Sequence, residues 1–285
     1  MEYNSFLQKN GLSMKRYVFI ISDGTGITAE ALGNSLITQF DTITFEKKTL
    51  PYIDTLDKAK EAVQQVNTCA EEFMTKPLIF ITLVNKELSE EIMKANASVF
   101  DLFNTFLVPL EQELNAKSSF TVGRSHGVVN TESYNHRIDA VNYALSHDDG
   151  IKIKNYSLAD IILIGVSRCG KTPSCLYMAL QFGVLAANYP FTDDDLNNLR
   201  LPQSLRPFKS KLFGLTIDPE RLSQIRSERR PNSQYASLEQ CRLEVNEVEA
   251  MYRREGVPFI NSTRYSIEEI TTRILAKAGL RRKIS

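Results

Sequence analysis

Residues 165 to 172 read Gly165-Val166-Ser167-Arg168-Cys169-Gly170-Lys171-Thr172 and match GxxxxGK[ST] at every fixed position. An apolar run, Ile161 to Ile164, precedes them, and a stretch of helix length, Lys171 to Val184, follows. Glycines at this spacing let a loop curl until successive backbone N–H groups converge on phosphate oxygens. The helix N-terminus adds positive potential, Lys171 can neutralise the outer phosphates, and the Thr172 hydroxyl can bind Mg2+. Arg168, inside the loop, is the candidate for neutralising transition-state charge. Cys169 reads as a small loop filler rather than a nucleophile. Pro173 suits an early helical position, where its missing N–H costs little. Phosphoryl transfer is the chemistry these residues predict.

A metal-binding acid is expected at the end of another strand. Asp218 closes the run KLFGLTID and fits that place, and a helix cap before Pro219 fits it equally. The catalytic candidates are therefore Lys171, Arg168 and Asp218, with Thr172 and Asp218 as the metal pair. His147-Asp148-Asp149 offers a base or metal-binding carboxylates, or else a solvated helix end. Arg124-Ser125-His126-Gly127 reads as a substrate contact or a structural turn. The run Arg226, Glu228, Arg229, Arg230 predicts a solvated face, with phosphate or partner docking as the second reading, and Arg281-Arg282-Lys283 predicts an exposed tail.

A second polar loop, Ser22-Asp23-Gly24-Thr25-Gly26-Ile27-Thr28-Ala29, satisfies GxGxx[G/A] after a strand. A dinucleotide would then meet the Asp23 carboxylate beside its pyrophosphate. A polar loop at the C-terminal end of a sheet, lined by Asp23, Thr25 and Thr28, is the better reading.

The elements that must position these loops alternate. Strands are expected at Tyr17 to Ser22, Leu78 to Val84, Ile161 to Ile164, Lys211 to Ile217 and Val257 to Ile260. Helices are expected at Thr28 to Gln39, Thr55 to Met74, Arg137 to His147, Lys171 to Val184, Leu238 to Glu255 and Ser266 to Ala278. This is an α/β pattern: two α/β halves with largely parallel sheets, the second carrying the P-loop. The expected organisation is an N-terminal domain at 1–110, a linker or functional loop with a helix at 111–155, and a nucleotide-binding domain at 156–285.

Composition narrows the class. Lys plus Arg (34) equals Asp plus Glu (34), so the net charge is zero, against a general nucleic-acid or membrane-surface binder. No apolar run approaches the ~18 residues a membrane span needs, and Met1 to Lys15 lacks a signal core. A cytoplasmic location is expected. The cysteines (Cys69, Cys169, Cys175, Cys241) form no CxxC pair and the three histidines are scattered, so a disulfide framework and a closed zinc site are poorly supported.

Longer segments carry more information than the loop alone. ADIILIGVSRCGKTPSCLYMALQFGVLAANYPF (159–191) resembles the signature of the bacterial phosphoenolpyruvate synthase regulatory proteins. So do SDGTGITAEALG (22–33), HDDG (147–150), KLFGLTIDPERLSQIRSERRPNSQYASLEQCRLEVNEVEAMYR (211–253) and INSTRYSIEEI (260–270). The likeness runs from about Arg16 to Leu280. The family is related to the pyruvate, phosphate dikinase regulatory proteins, and AANYPF, QCRLEV and the Cys169 form of the loop look more like the synthase branch.

The resemblance implies a bifunctional serine/threonine kinase and phosphorylase. Its kinase activity would move a phosphoryl group from ADP to a threonine of phosphoenolpyruvate synthase, inactivating the target and leaving AMP. Its phosphorylase activity would reverse the modification with inorganic phosphate and release pyrophosphate. ADP, inorganic phosphate and Mg2+ are the implied ligands, the synthase is the implied protein partner, and a homodimer stays open. The nucleotide-binding segment of the family falls on Gly165 to Thr172. The common protein-kinase signatures are absent, since His136-Arg137 is followed by Ile138. Two other readings compete: a non-catalytic nucleotide-sensing module, and a nicotinamide-dependent oxidoreductase using Gly24 to Ala29.

Overall fold

The computed structural model describes residues 14–119, 131–150, 153–196 and 200–284. The chain forms two compact units, residues 1–128 and 129–285. Arg124 to Gly127 lie outside the described residues.

The first unit is a four-stranded parallel sheet of order β2-β1-β3-β4. Its strands are β1 (Met14–Ser22), β2 (Ile43–Leu50), β3 (Leu78–Thr82) and β4 (Ser98–Asp101). Between and after them run α1 (Ile27–Ile37), α2 (Leu56–Glu72), α3 (Lys86–Ile92) and α4 (Leu102–Leu114). Alternation along β1 sends Phe19 and Ile21 to one face and Val18 and Ile20 to the other. The first pair packs with Ala59, Ala62 and Val66 of α2 and Leu88 and Ile92 of α3. The second packs with Ala29 and Ile37 of α1 and with Leu102. Small residues on α2 let that helix lie close to the sheet. Residues 111–114, read from sequence as the start of a loop, complete α4, whose helical period Pro109 obscures.

The second unit repeats the strand order as β6-β5-β7-β8, again all parallel. Its strands are β5 (Ile161–Gly165), β6 (Ala186–Pro190), β7 (Leu212–Thr216) and β8 (Phe259–Asn261). The helices are α5 (Thr131–Ser146), α6 (Lys171–Phe182), the single turn α7 (Asp193–Leu196), α8 (Pro219–Arg229), α9 (Leu238–Glu255) and α10 (Ile267–Ala278). Every residue of β5 and β7 is buried, as expected of central parallel strands covered on both faces. Arg281, Arg282 and Lys283 are exposed, as their charges suggest, but the segment is anchored. Ile284 is buried, and Lys283 Nζ lies 2.7 Å from both Asp160 carboxylate oxygens. Among the described residues no helix is long and apolar enough to cross a membrane.

Both sheets reverse direction of winding between their two central strands, which places a crevice at the C-terminal ends of those strands. In the second unit this crevice is clamped by Tyr252 of α9. Its buried hydroxyl donates to the Ile164 carbonyl at 2.8 Å, with the Leu215 carbonyl at 3.3 Å. The ring lies against Gly214, where a Cβ would come within 2.6 Å of it. Tyr252→Phe removes the hydroxyl that satisfies these buried carbonyls, and stability is expected to fall by about 1–3 kcal/mol. A lower urea midpoint at unchanged slope is the measurement that checks it.

Candidate functional site

The segment Gly165 to Thr172 bridges β5 and α6 at the central crevice of the second unit. Gly165 is required sterically: a Cβ there would lie 2.4 Å from the Leu215 carbonyl oxygen of the neighbouring strand. Arg168 and Gly170 both take left-handed backbone angles (φ +76° and +97°), which curls the loop. Gly170 is the N-cap of α6 and offers no side-chain cap, so the first N–H groups of that helix are not consumed by a cap.

Lys171 is only 5% exposed. Its ammonium lies inside the loop, donating to the carbonyls of Gly165 (3.0 Å) and Val166 (2.8 Å). Arg168 is exposed at the bend of the loop. The Cys169 thiol is buried, and burial pushes its pKa up, as suits a filler rather than a nucleophile.

Thr172, in the first turn of α6, donates to Asp148 Oδ1 at 2.8 Å. Asp148 belongs to the HDDG turn that follows α5, twenty-odd residues earlier. The same carboxylate oxygen accepts from Asn188 Nδ2 of β6, and Asp149 N–H donates to Asn188 Oδ1 at 3.1 Å. Asn188 is thus bonded through both ends of its amide, and its own N–H donates to the His147 carbonyl at 3.2 Å. His147 is buried and stacked on Tyr143, with Nδ1 2.8 Å from the Tyr143 carbonyl. That contact requires the proton on Nδ1, since a carbonyl only accepts. Of the choices the sequence left open for this tripeptide, the structure brings Asp148 to the loop and makes His147 its buried support.

Asp218 lies two residues beyond β7 and occupies the N-cap position of α8, but its side chain makes no cap bond. It accepts from Asn261 Nδ2 at 2.7 Å, and its N–H donates to Thr263 Oγ1 at 2.7 Å. Its hydrogen bonds therefore run to the end of β8 and the segment just after it, whereas that of the Thr172 hydroxyl runs to Asp148.

The charge run after Asp218 divides. Arg229 and Arg230 are exposed, but Arg226 is fully buried. It forms a two-pronged pair with Glu244 of α9, at 2.9 and 2.6 Å. Its Nη2 also donates to the Ser167 carbonyl at 3.2 Å, and its Nη1 to the Tyr235 carbonyl at 3.0 Å. The guanidinium stacks on the Tyr235 ring at 4.1 Å, and the Tyr235 hydroxyl donates to Ser167 Oγ at 3.0 Å. In the sequence Arg226 reads as one of a solvated group. The available signal was its spacing from Leu222, which puts it on the buried stripe of α8.

In the first unit, Asp23 follows β1 and its Oδ2 accepts from the Val84 N–H beyond β3 at 2.7 Å. Burial raises its pKa, against the opposing effect of that N–H. Ser22 Oγ accepts from both Gly24 N–H and Thr82 Oγ1 at 3.1 Å. Gly26 (φ +80°) is the N-cap of α1.

The chain matches the family model described as kinase/pyrophosphorylase over residues 18–275. A Legionella pneumophila (strain Corby) protein named as a phosphoenolpyruvate synthase regulatory protein is 69% identical over 271 residues, which span 95% of this chain and 100% of that one. Proteins of the same name from Hahella chejuensis and Stutzerimonas stutzeri are 60% and 56% identical over the same shares of each chain. The match covers nearly the whole of both units, and this chain belongs to the kinase/pyrophosphorylase family.

Proposed function

We propose that this protein regulates phosphoenolpyruvate synthase by phosphorylating a threonine of it at the expense of ADP and by removing that phosphoryl group with inorganic phosphate. The observation that carries this reading is the loop Gly165 to Thr172, with the Lys171 ammonium inside it and Thr172 against Asp148. The family and the names of its relatives supply the target and the two directions.

In the forward direction the threonine oxygen attacks the β-phosphorus of ADP. The bond from that phosphorus to the bridging oxygen breaks, AMP leaves with the bridging oxygen, and the threonine proton passes to a base. In reverse an oxygen of inorganic phosphate attacks the phosphothreonine phosphorus. Pyrophosphate forms, and the threonine oxygen leaves and regains a proton. Both reactions move a phosphoryl group between negative oxygens, so one set of donors serves both: Lys171, Arg168 and the loop N–H groups.

Such loops imply Mg2+, and the donors here fit it. Thr172 Oγ1 and the Asp148 carboxylate are adjacent oxygens that would serve as ligands, and Mg2+ is commonly held by one or two carboxylates with waters and phosphates. Bound there it would offset phosphate charge. Asp218 is the second acidic position, and the variants below separate the two.

Lys171→Ala is expected to weaken ADP binding about ten- to hundredfold, the loss of a charge-assisted contact of roughly 1.5–3 kcal/mol. Calorimetric titration reads this, and the same variant should be slowed in both directions. A variant that still releases pyrophosphate from phosphorylated synthase at the normal rate would require a separate phosphate site. Mass spectrometry of the synthase after incubation with ADP tests the function itself. An unmodified threonine would leave only nucleotide sensing.

For the metal, Asp148→Asn is expected to raise the Mg2+ concentration needed for half-maximal phosphorylation, while Asp218→Asn leaves it near the wild-type value. The opposite pattern would assign the metal carboxylate to Asp218.

A further inference from the structure

We infer that Arg226 and Ser262 are positioning residues: each holds a loop carbonyl outward and so aims the N–H of the same peptide plane at a bound phosphate. The inference rests on Gly165 to Thr172 being the phosphate-binding loop. It adds two residues from outside the motif.

A trans peptide is planar, and its C=O and N–H point in opposite directions. There are no cis bonds among the described residues. The Ser167 carbonyl shares its plane with the Arg168 N–H, and the Cys169 carbonyl shares its plane with the Gly170 N–H. Arg226 Nη2 donates to the Ser167 carbonyl at 3.2 Å, and Ser262 Oγ donates to the Cys169 carbonyl at 3.0 Å. Both donors approach from outside the loop, one from α8 and the other from the segment after β8. Each anchor therefore turns an N–H away from itself. Among the described residues, neither the Arg168 nor the Gly170 N–H donates to a protein acceptor. The left-handed angles at these two residues give the alternation that converges N–H groups into an anion-binding concavity.

Two further planes are contacted from within, by Lys171 on the Gly165 and Val166 carbonyls, and the Gly165 carbonyl also receives the Phe191 N–H at 3.1 Å. Arg226 is itself fixed by both Glu244 oxygens and by the Tyr235 carbonyl and ring. Ser262 Oγ is also 3.0 Å from the Thr216 carbonyl, but that carbonyl already receives the Ser262 N–H at 2.8 Å. The Cys169 carbonyl has no other donor among the described residues, so the hydroxyl serves the loop.

The test titrates the full chain with ADP and, separately, with inorganic pyrophosphate. Ser262→Ala is expected to weaken both by the same factor, about five- to tenfold for one neutral hydrogen bond. The KM for ADP should rise with kcat little changed, and Ser262→Thr, which keeps the hydroxyl, should restore both. Arg226→Lys should weaken both ligands at least as much; should it fail to fold, Ser262→Ala still decides. Wild-type affinities in Ser262→Ala, with only a lowered melting temperature, would overturn the positioning role and leave the loop reading intact. A wild-type protein that binds neither ligand would overturn the loop reading and this inference with it.

Discussion

The Arg226 side chain is fully buried, and groups from several elements of the second unit converge on its two terminal nitrogens. Burying such a cation alone costs several kcal/mol, so it must meet a counter-charge and acceptors at the right angles. Glu244 supplies the charge, the carbonyls of Ser167 and Tyr235 take further protons, and the Tyr235 ring covers one face. These groups come from the loop, from α8, from the turn at Gln234–Ala236 and from α9. They can converge only when those elements hold one mutual register. Specificity of arrangement, more than net stability, is what a pair of this kind contributes.

The two units solve one topological problem with different chemistry. Each has a parallel sheet in the same strand order, with a polar loop leaving its first central strand at the crevice. In the first unit the loop spends its carboxylate internally, since Asp23 ties the end of β1 to the backbone beyond β3. In the second, the loop carries a buried lysine bonded to its own carbonyls. The shared placement explains why both loops attract attention as binding motifs from sequence alone. Their side chains separate them.

Legibility in the sequence followed burial. The central strands β1, β3, β5 and β7 are largely apolar where helices cover both faces, and each is readable as a short apolar run, in β1 only after Lys15 and Arg16. The strands without a clear apolar signal, β2, β4 and β6, all lie at sheet edges. There Glu46-Lys47-Lys48 interrupts β2, β4 spans only Ser98–Asp101, and β6 ends on Pro190. Edge strands tolerate charge and proline because one side needs no ladder partner. The site divided in the same way. Its local part, Gly165 to Thr172, was complete in the motif. Asp148 and Asn188 reach Thr172 only through the fold, and a burial pattern of one residue in four on α8 is too faint to set Arg226 apart from its exposed neighbours.

Asp148 is hydrogen-bonded but not ion-paired. Its donors, the Thr172 hydroxyl and the Asn188 amide, are neutral, and among the described residues no lysine or arginine pairs with it. The nearby Lys171 ammonium is turned onto backbone carbonyls instead. The mouth of α6 is therefore bipolar, with a cation within the loop and an uncompensated anion beside the first helical turn. A bare polyphosphate arriving there would be attracted by one pole and repelled by the other. The same polyphosphate arriving with a divalent counterion would match both, so on the function proposed above the turn at Asp148 would sort visitors by their charge state before shape is consulted.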